Sequence, residues 1–196
     1  MKKVKLNNIA ILVLFITSYI PLFGLLILRQ IKQNIEYLYF GNFNQESVLL
    51  AFKKFGLSGF LFLVAIFGYI GLKFLLTNLD NKKSNGELVK IVEVENKNNE
   101  SISYISTYIV PFIFQDTNNF FDITSIFIVL AIIFFIYTKS NMIVINPILS
   151  ITHTLYQVDY NKKGKIKKCL LITTEEDLES GQEVKINLIT KNIYYG

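Results

Sequence analysis

Cys169 and His153 are the residues with the clearest capacity for chemistry, and each is the only one of its type in the chain. A thiolate beside an imidazole makes a nucleophile pair, but one cysteine and one histidine are too few for a structural zinc site or an internal disulfide. Cys169 lies in the apolar run CLLIT, which is typical of a buried, inert thiol. We interpret His153, in ITHTLY, as a packed or surface imidazole.

Sequence motifs of enzymes are missing as well. The chain has no Walker loop, no G-x-G-x-x-G, no G-x-S-x-G and no H-E-x-x-H. Candidate acids and bases do not converge on any segment. We therefore expect a protein that is not an enzyme and has no catalytic residues, cofactor or metal; a membrane enzyme is a minor alternative.

Long apolar segments dominate the chain instead. Of its 196 residues, 52% are apolar and only 18% are charged. Blocks almost free of charge cover residues 9–28, 57–76 and 120–138, and about 20 helical residues span ~30 Å of hydrocarbon. A cleaved signal peptide is the alternative for the first block, but the block is too long and no small-x-small site follows it. The composition predicts a membrane protein with an uncleaved first span.

A shorter apolar segment, residues 102–115, decides how the chain is threaded. Lysines precede the first span at positions 2, 3 and 5 and follow the last one in the cluster 162–168, so the positive-inside rule favours cytoplasmic N- and C-termini. Two cytoplasmic termini require an even number of crossings. We expect the segment to cross with a kink at Pro111, and a re-entrant dip is the alternative.

These patterns predict two regions. Residues 1–138 form a transmembrane domain with spans at about 9–28, 57–76, 102–115 and 120–138 and an inner loop at 77–101. Residues 139–196 form a cytoplasmic β-rich region, in which a bend at Pro147 precedes alternating strands and a hairpin turn at 161–164. The inner loop contains GELVKIVEVE, which can add an edge strand. The expected fold is an α-helical bundle of four transmembrane helices with a small cytoplasmic β-rich cap.

Several surface features have two interpretations. Gly59, Gly68 and Gly71 place small residues on the second span, which permits close helix packing or self-association into a homo-oligomer. Residues 47–55 have the spacing of a short interfacial helix, with a ligand-binding loop as the alternative for the region around it. The lysine cluster fits a solvated hairpin tip, and attraction to anionic membrane lipids comes next. No direct nucleic-acid binding is expected.

Five segments of the sequence are similar to a known family. The segments are YISTYIVPFI at 104–113, FDI at 121–123, SNMIVINPILS at 140–150, LYQVDY at 155–160 and the ending KNIYY. In these segments and in the layout of its spans, the chain resembles the KwaA family, the membrane subunit of the Kiwa anti-phage defence system.

The resemblance implies a multi-pass protein of the bacterial inner membrane that senses phage infection and forms homo-oligomers. It also implies a partner, a cytosolic DNA-binding effector (KwaB-like) that the protein recruits or regulates. Because a sheet of few strands needs cover for its apolar face, we expect the cap to contact this partner through Tyr156, Val158, Tyr160, Val184, Ile186 and Leu188. A small channel or transporter subunit is the alternative function, although neither intramembrane charge nor an internal repeat supports it.

Overall fold

A computed structural model describes residues 7–38, 44–104, 119–139, 146–162, 164–190 and 192–196. Its helices are α1 (Asn8–Ser18), α2 (Ile20–Gln33), α3 (Gln45–Lys83), α4 (Asn99–Tyr104) and α5 (Phe120–Lys139). Of the helices in these ranges, α3 and α5 are each long and apolar enough to cross a bilayer. The bent pair α1–α2 makes a third span if it acts as one unit.

The first predicted span is not one straight helix. α1 and α2 meet at Tyr19 at an angle of 49°. Pro21 lies in the first turn of α2, where the backbone N–H has no partner within the helix, so proline costs α2 no hydrogen bond. Because proline has no N–H to donate, α1 cannot continue its hydrogen bonds through this position. The hydroxyls of Thr17 and Ser18 bond to carbonyls one turn back in α1, which satisfies groups close to the break.

The predicted interfacial helix and the second span form the single helix α3. Its 39 residues give a length of about 58 Å, well above the hydrocarbon thickness. Asn44 caps its start by accepting a hydrogen bond from the Ser47 N–H at 2.8 Å. Between the two predicted elements only Gly56 disfavours helix, and one glycine costs about 1 kcal/mol, which is too little to end a helix with apolar packing on both sides.

The bent pair α1–α2 packs against α3 and α5. The start of α3 lies against the end of α2, where Ser58 donates to Gln30. The first half of α5 lies at the same level, because Ile126 and Leu130 share a small apolar void with Leu26 and Leu61. The far half of α5 reaches α1, where the ring of Phe134 is 4.9 Å from that of Phe15. α3 and α5 therefore run parallel to each other and antiparallel to α1–α2.

The β-strands form a closed five-stranded barrel. The strands are β1 (Glu87–Asn96), β2 (Thr154–Lys162), β3 (Lys165–Thr173), β4 (Glu183–Thr190) and β5 (Ile193–Tyr195). They are ordered β1-β2-β3-β5-β4, with β4 pairing back to β1. All pairs are antiparallel except β3 with β5. The hairpin between β2 and β3 contains Gly164 at φ 77°, a conformation that favours glycine.

The alternating sequence of β1 suggested an edge strand, but in the structure β1 has a neighbouring strand on each side. It pairs with β2 along one side and with β4 along the other, and so it closes the barrel. Closure removes both free edges and encloses apolar side chains of β1, β2, β3 and β4. The inner loop 77–101 thus supplies a central part of the cap.

The predicted third span lies mostly outside the described residues. α4 covers its first three positions, and residues 105–118, including Pro111, lie outside the described ranges. Pro147 lies in the turn that leads from Asn146 to a short 3₁₀ helix at Leu149–Ile151. That turn brings the chain from the helices to β2.

Candidate functional site at the helix–barrel junction

Asn146 joins the chain after α5 to helix α1. Its side chain is fully buried, and its Nδ2 group donates to the Leu14 carbonyl at 3.1 Å and to the Thr17 hydroxyl at 2.7 Å. Its Oδ1 atom accepts from the backbone N–H groups of Ile148 at 3.0 Å and Leu149 at 3.2 Å. One side chain therefore fixes the turn before the barrel and binds this turn to the first helix.

A second polar group joins α3 to the last strand. The Tyr195 hydroxyl donates to the Asp80 carboxylate, with 2.5 Å between Oη and Oδ1. It also lies 3.0 Å from Nε2 of His153, whose Nδ1 is 2.8 Å from the Thr152 hydroxyl. If Tyr195 donates to Asp80, then His153 Nε2 carries the proton that Tyr195 accepts; in the neutral imidazole Nδ1 is then the acceptor, and Thr152 donates to it. A chain of four side chains thus connects the end of α3, β5 and the turn before β2.

Burial controls the protonation of this group. Burial lowers the pKa of His153 below its usual value, and Asp80 only partly opposes this change. Burial, followed by the hydrogen bond to Asp80, raises the pKa of Tyr195. Burial therefore favours the uncharged form of both side chains at neutral pH, which agrees with these hydrogen bonds.

Apolar side chains pack around these polar contacts. Leu149, Leu155, Ile172, Ile193 and Tyr195 form a cluster on the outer side of the barrel, and the α3 residues Leu76 and Leu79 pack against it. Only a small void, lined by apolar side chains, separates α1, α3 and the barrel. The barrel is therefore packed firmly onto the helices rather than held by a flexible linker.

Most residues predicted to contact a partner point into the barrel. Five of them are buried in its core, namely Tyr156, Val158, Tyr160, Val184 and Ile186. Leu188 is partly buried opposite Tyr194 of β5. The apolar face that seemed to need a partner is thus covered by the closure of the barrel. Partner contact by these residues stays a prediction, and for the buried five it would act through the shape of the barrel.

The three predicted packing glycines differ in their surroundings. A Cβ atom on Gly68 would lie 2.5 Å from Cγ2 of Ile16, and one on Gly71 would lie 2.9 Å from Cγ2 of Val13. α1 therefore occupies this small-residue face within the same chain. No atom of the described residues lies within 4 Å of the corresponding position on Gly59.

The two candidate chemical residues lie in different clusters. Cys169 is 3% exposed in the barrel core, and burial raises its pKa to about 12, so the thiol is protonated at neutral pH. His153 lies at the junction, hydrogen-bonded as described above. Within the described residues, no group of three or more histidine, cysteine or acidic side chains is arranged to hold a metal ion.

The lysine cluster is partly paired with acidic residues. Lys162 contacts Glu87 of β1, and Lys168 lies 3.8 Å from Asp159 of β2. Lys165 and Lys167 are exposed near the hairpin tip. Both pairs lie at the surface, where each contributes about 1 kcal/mol or less.

The residues that build the junction were not predicted as site residues. Asn146 falls in the quoted segment SNMIVINPILS and Tyr195 in the ending KNIYY, so both carried a signal only through the resemblance. Asp80 carried no signal in the sequence. Its contact with Tyr195 joins residues 115 positions apart, and no local pattern contains that information.

Comparison with known proteins assigns the chain to a family. The family model of the anti-phage protein KwaA matches residues 10–195, which is nearly the whole chain. No curated protein matches, and neither does any solved structure. The match includes the helices, every strand of the barrel and the junction between them. The chain therefore belongs to the KwaA family of anti-phage proteins.

Proposed function

We propose that this chain is a multi-pass component of the Kiwa defence system in the bacterial inner membrane, where it senses infection and recruits or regulates a cytosolic DNA-binding effector. Membership of the KwaA family supports the defence role. Two helices that are long and apolar enough to span a bilayer support the membrane location. In this proposal the chain is not an enzyme and acts through contacts.

The observation that carries the proposal is that one barrel contains strands from both sides of α5. β1 follows α3, whereas β2 to β5 follow α5. A closed barrel lies on one side of the membrane, so the chain between β1 and β2 crosses an even number of times. α3 and α5 run parallel; α3 leads directly into β1, and the far half of α5 reaches α1. If α5 crosses once, four spans including α1–α2 require one further crossing before α5, which is the crossing that the sequence predicts for residues 102–115.

Charge supports a cytoplasmic position for the barrel. Four spans place the N-terminus on the same side as the barrel, and both carry lysine clusters. Positive charge is concentrated on the cytoplasmic side of membrane proteins. The barrel is then accessible to a cytosolic effector.

The junction supports transmission from the spans to the barrel. Asp80 at the end of α3 bonds to Tyr195 in β5, and Asn146 bonds to α1. β1 also follows α3 directly, so a displacement of α3 acts on the barrel through two connections. We propose that a change in the membrane during infection moves α3 and thereby alters the barrel surface.

We propose the outer face of β1, β2 and β3 as the effector surface. Lys90, Asn161 and Ile166 form one row across these strands, because Asn161 lies opposite both of the others. Leu88, Val92 and Ile166 are large exposed apolar residues on these strands. Exposed apolar side chains among charges are typical of protein interfaces. A homo-oligomer is also proposed, and it would use the part of α3 around Gly59, because α1 covers Gly68 and Gly71.

Cysteine labelling tests the threading. Buried Cys169 is first replaced in a Cys169→Ser background, and single cysteines are then introduced by Lys165→Cys in the barrel and Gln45→Cys at the far end of α3. Both positions are exposed. In intact spheroplasts, an impermeant maleimide should label the Gln45 position, and it should label the Lys165 position only after permeabilisation. The reverse pattern would overturn the proposed orientation, and labelling of both positions in intact spheroplasts would overturn the four-span threading.

A pair of matched substitutions tests effector contact. Ile166→Glu places a charge on the proposed surface, and Leu49→Glu places one at the opposite end of the molecule; the two side chains are 66% and 71% exposed. We expect Ile166→Glu to reduce co-purification of the effector and protection from phage at least about fivefold, because a desolvated charge costs several kcal/mol. Leu49→Glu should retain effector binding. Equal binding by both variants would remove the proposed surface.

A further inference from the structure

Two cavities adjoin at the helix–barrel junction, and their linings differ. A polar cleft of about 310 Å³ is lined by Asn96, Asn98, Ser150, Ile151, Thr152, His153, Thr154, Thr174 and Glu176. An apolar groove of about 440 Å³ is lined by Ile20, Phe62, Ala65, Ile66, Tyr69, Ile70, Ile148, Ile151 and Thr152. Ile151 and Thr152 belong to both. The two cavities therefore lie next to each other at these two residues, one polar and one apolar.

The apolar groove lies on a face of α3 that the other described helices leave exposed. Phe62, Ile66 and Ile70 recur at helical spacing and are all exposed. The eight-residue step from Phe62 to Ile70 rises about 12 Å along the helix. The groove therefore follows the axis of a candidate span, as an acyl chain in a bilayer does.

The polar cleft adjoins the barrel, because Asn96 of β1 and Thr154 of β2 line it. Its lining offers hydroxyl and amide groups, which donate hydrogen bonds to phosphate oxygens. Among its described lining residues Glu176 is the one acidic residue, and none is lysine or arginine. His153 is uncharged at neutral pH because burial lowers its pKa. The cleft is therefore suited to a headgroup that carries both a phosphate and an ammonium group.

We propose that this site binds one ethanolamine-bearing phospholipid of the surrounding bilayer, with an acyl chain in the groove and the headgroup in the cleft. The ammonium group pairs with Glu176, and the hydroxyl and amide groups bond to the phosphate. A choline headgroup has no N–H to donate, and an anionic glycerol headgroup has no cation for Glu176. Because lipid tails do not distinguish between apolar surfaces, selection comes from the headgroup. The inference relies on the proposed membrane insertion of α3.

A single tryptophan provides the test, because the natural sequence contains none. Phe62→Trp places the reporter in the groove. Phe67→Trp places it on the same helix outside the groove lining, at a position that is 70% exposed. Each full-length variant is reconstituted in phosphatidylcholine bilayers that contain a small fraction of brominated phosphatidylethanolamine, phosphatidylcholine or phosphatidylglycerol, and quenching is compared at equal mole fractions.

We expect brominated phosphatidylethanolamine to bind near the Phe62→Trp reporter about threefold more strongly than the other two lipids. A threefold difference in binding is the size of effect that a partly exposed ion pair produces. The Phe67→Trp reporter should be quenched equally by all three. Adding Glu176→Gln should abolish the preference, whereas adding Glu179→Gln, at an exposed carboxylate outside the cleft, should leave it unchanged.

The controls separate this inference from the proposed function. If the Phe67→Trp reporter is quenched by no brominated lipid, membrane insertion of α3 is wrong and the lipid site fails with it. If that reporter is quenched but the Phe62→Trp reporter shows no headgroup preference, insertion stands and the lipid site is wrong. A preference that survives Glu176→Gln would overturn the assigned ammonium contact.

Discussion

Replacing Asn146 with alanine should loosen the junction between the helices and the barrel. The side chain is fully buried and makes four hydrogen bonds, two to α1 and two to the turn before β2. Alanine leaves the N–H groups of Ile148 and Leu149 without that acceptor, and each unsatisfied buried donor costs about 1–3 kcal/mol. We expect a loss of about 3 kcal/mol in the free energy of unfolding, after partial relaxation.

Thermal unfolding measures this loss. The full-length chain is heated in a mild detergent, and its folded fraction is followed by fluorescence-detected gel filtration. For a chain of this length, 3 kcal/mol corresponds to a fall in Tm of about 6–12 °C. Asn85→Ala is the matched control, because Asn85 is exposed in the turn after α3; its expected effect is within about 0.5 kcal/mol.

A double-mutant cycle distinguishes the specific contact from general loss of packing. Thr17→Val removes one partner of Asn146, so the effect of the double variant should be smaller than the sum of the two single effects. Additive effects would show that the bond from Asn146 to Thr17 contributes nothing. A Tm for Asn146→Ala equal to that of Asn85→Ala would refute the role of Asn146 as the link between α1 and the barrel.

Three further outcomes follow from the structure. Gly68→Ala should lower Tm because its Cβ collides with α1. Gly59→Ala, whose Cβ meets no atom of the described residues within 4 Å, should leave Tm unchanged or raise it slightly. Burial lowers the pKa of His153 in the folded state, so the unfolded chain binds an additional proton as the pH falls below about 6.5. The free energy of unfolding of the wild type should therefore decrease from pH 7.5 to 5.5 more than that of His153→Gln, and equal decreases would contradict this. Burial raises the pKa of Cys169 from 9.0 to about 12, so the fraction of thiolate at pH 8 is about a thousandfold lower than for an exposed cysteine. Until the protein is denatured, maleimide should therefore label Cys169 far more slowly than the cysteine introduced by Lys165→Cys, and equal rates would show that the Cys169 thiol is accessible.

Local patterns in the sequence predicted much of the secondary structure. The apolar blocks at 57–76 and 120–138 lie in α3 and α5, and the alternating segments near 154–160 and 183–188 are β2 and β4. The hairpin turn at 161–164 also follows from local residues, since Gly164 supplies the positive φ. Each of these features depends on hydropathy or backbone preference within a short window. A short segment of sequence therefore contains all the information needed to predict these features.

Some boundaries differed because context outweighed local preference. Gly56 suggested a boundary between an interfacial helix and a span, but α3 continues through it. Pro21 lay inside a block predicted as one span, and the helix breaks two residues before it, at Tyr19. A helix continues or ends according to whether its hydrogen bonds and packing outweigh one unfavourable residue, and this balance depends on neighbouring helices that the sequence does not reveal.

The sequence by itself determined that this chain has long apolar helices and a β-rich end that contains its cysteine. Only the tertiary structure decided that β1 closes the sheet into a barrel, that the predicted partner residues lie mostly inside it, and that α1 covers Gly68 and Gly71. It also decided the contact of Asn146 with Leu14, across 132 residues. Such contacts depend on which elements meet in space, because burial and hydrogen bonding are satisfied jointly by the whole fold and not by any one segment.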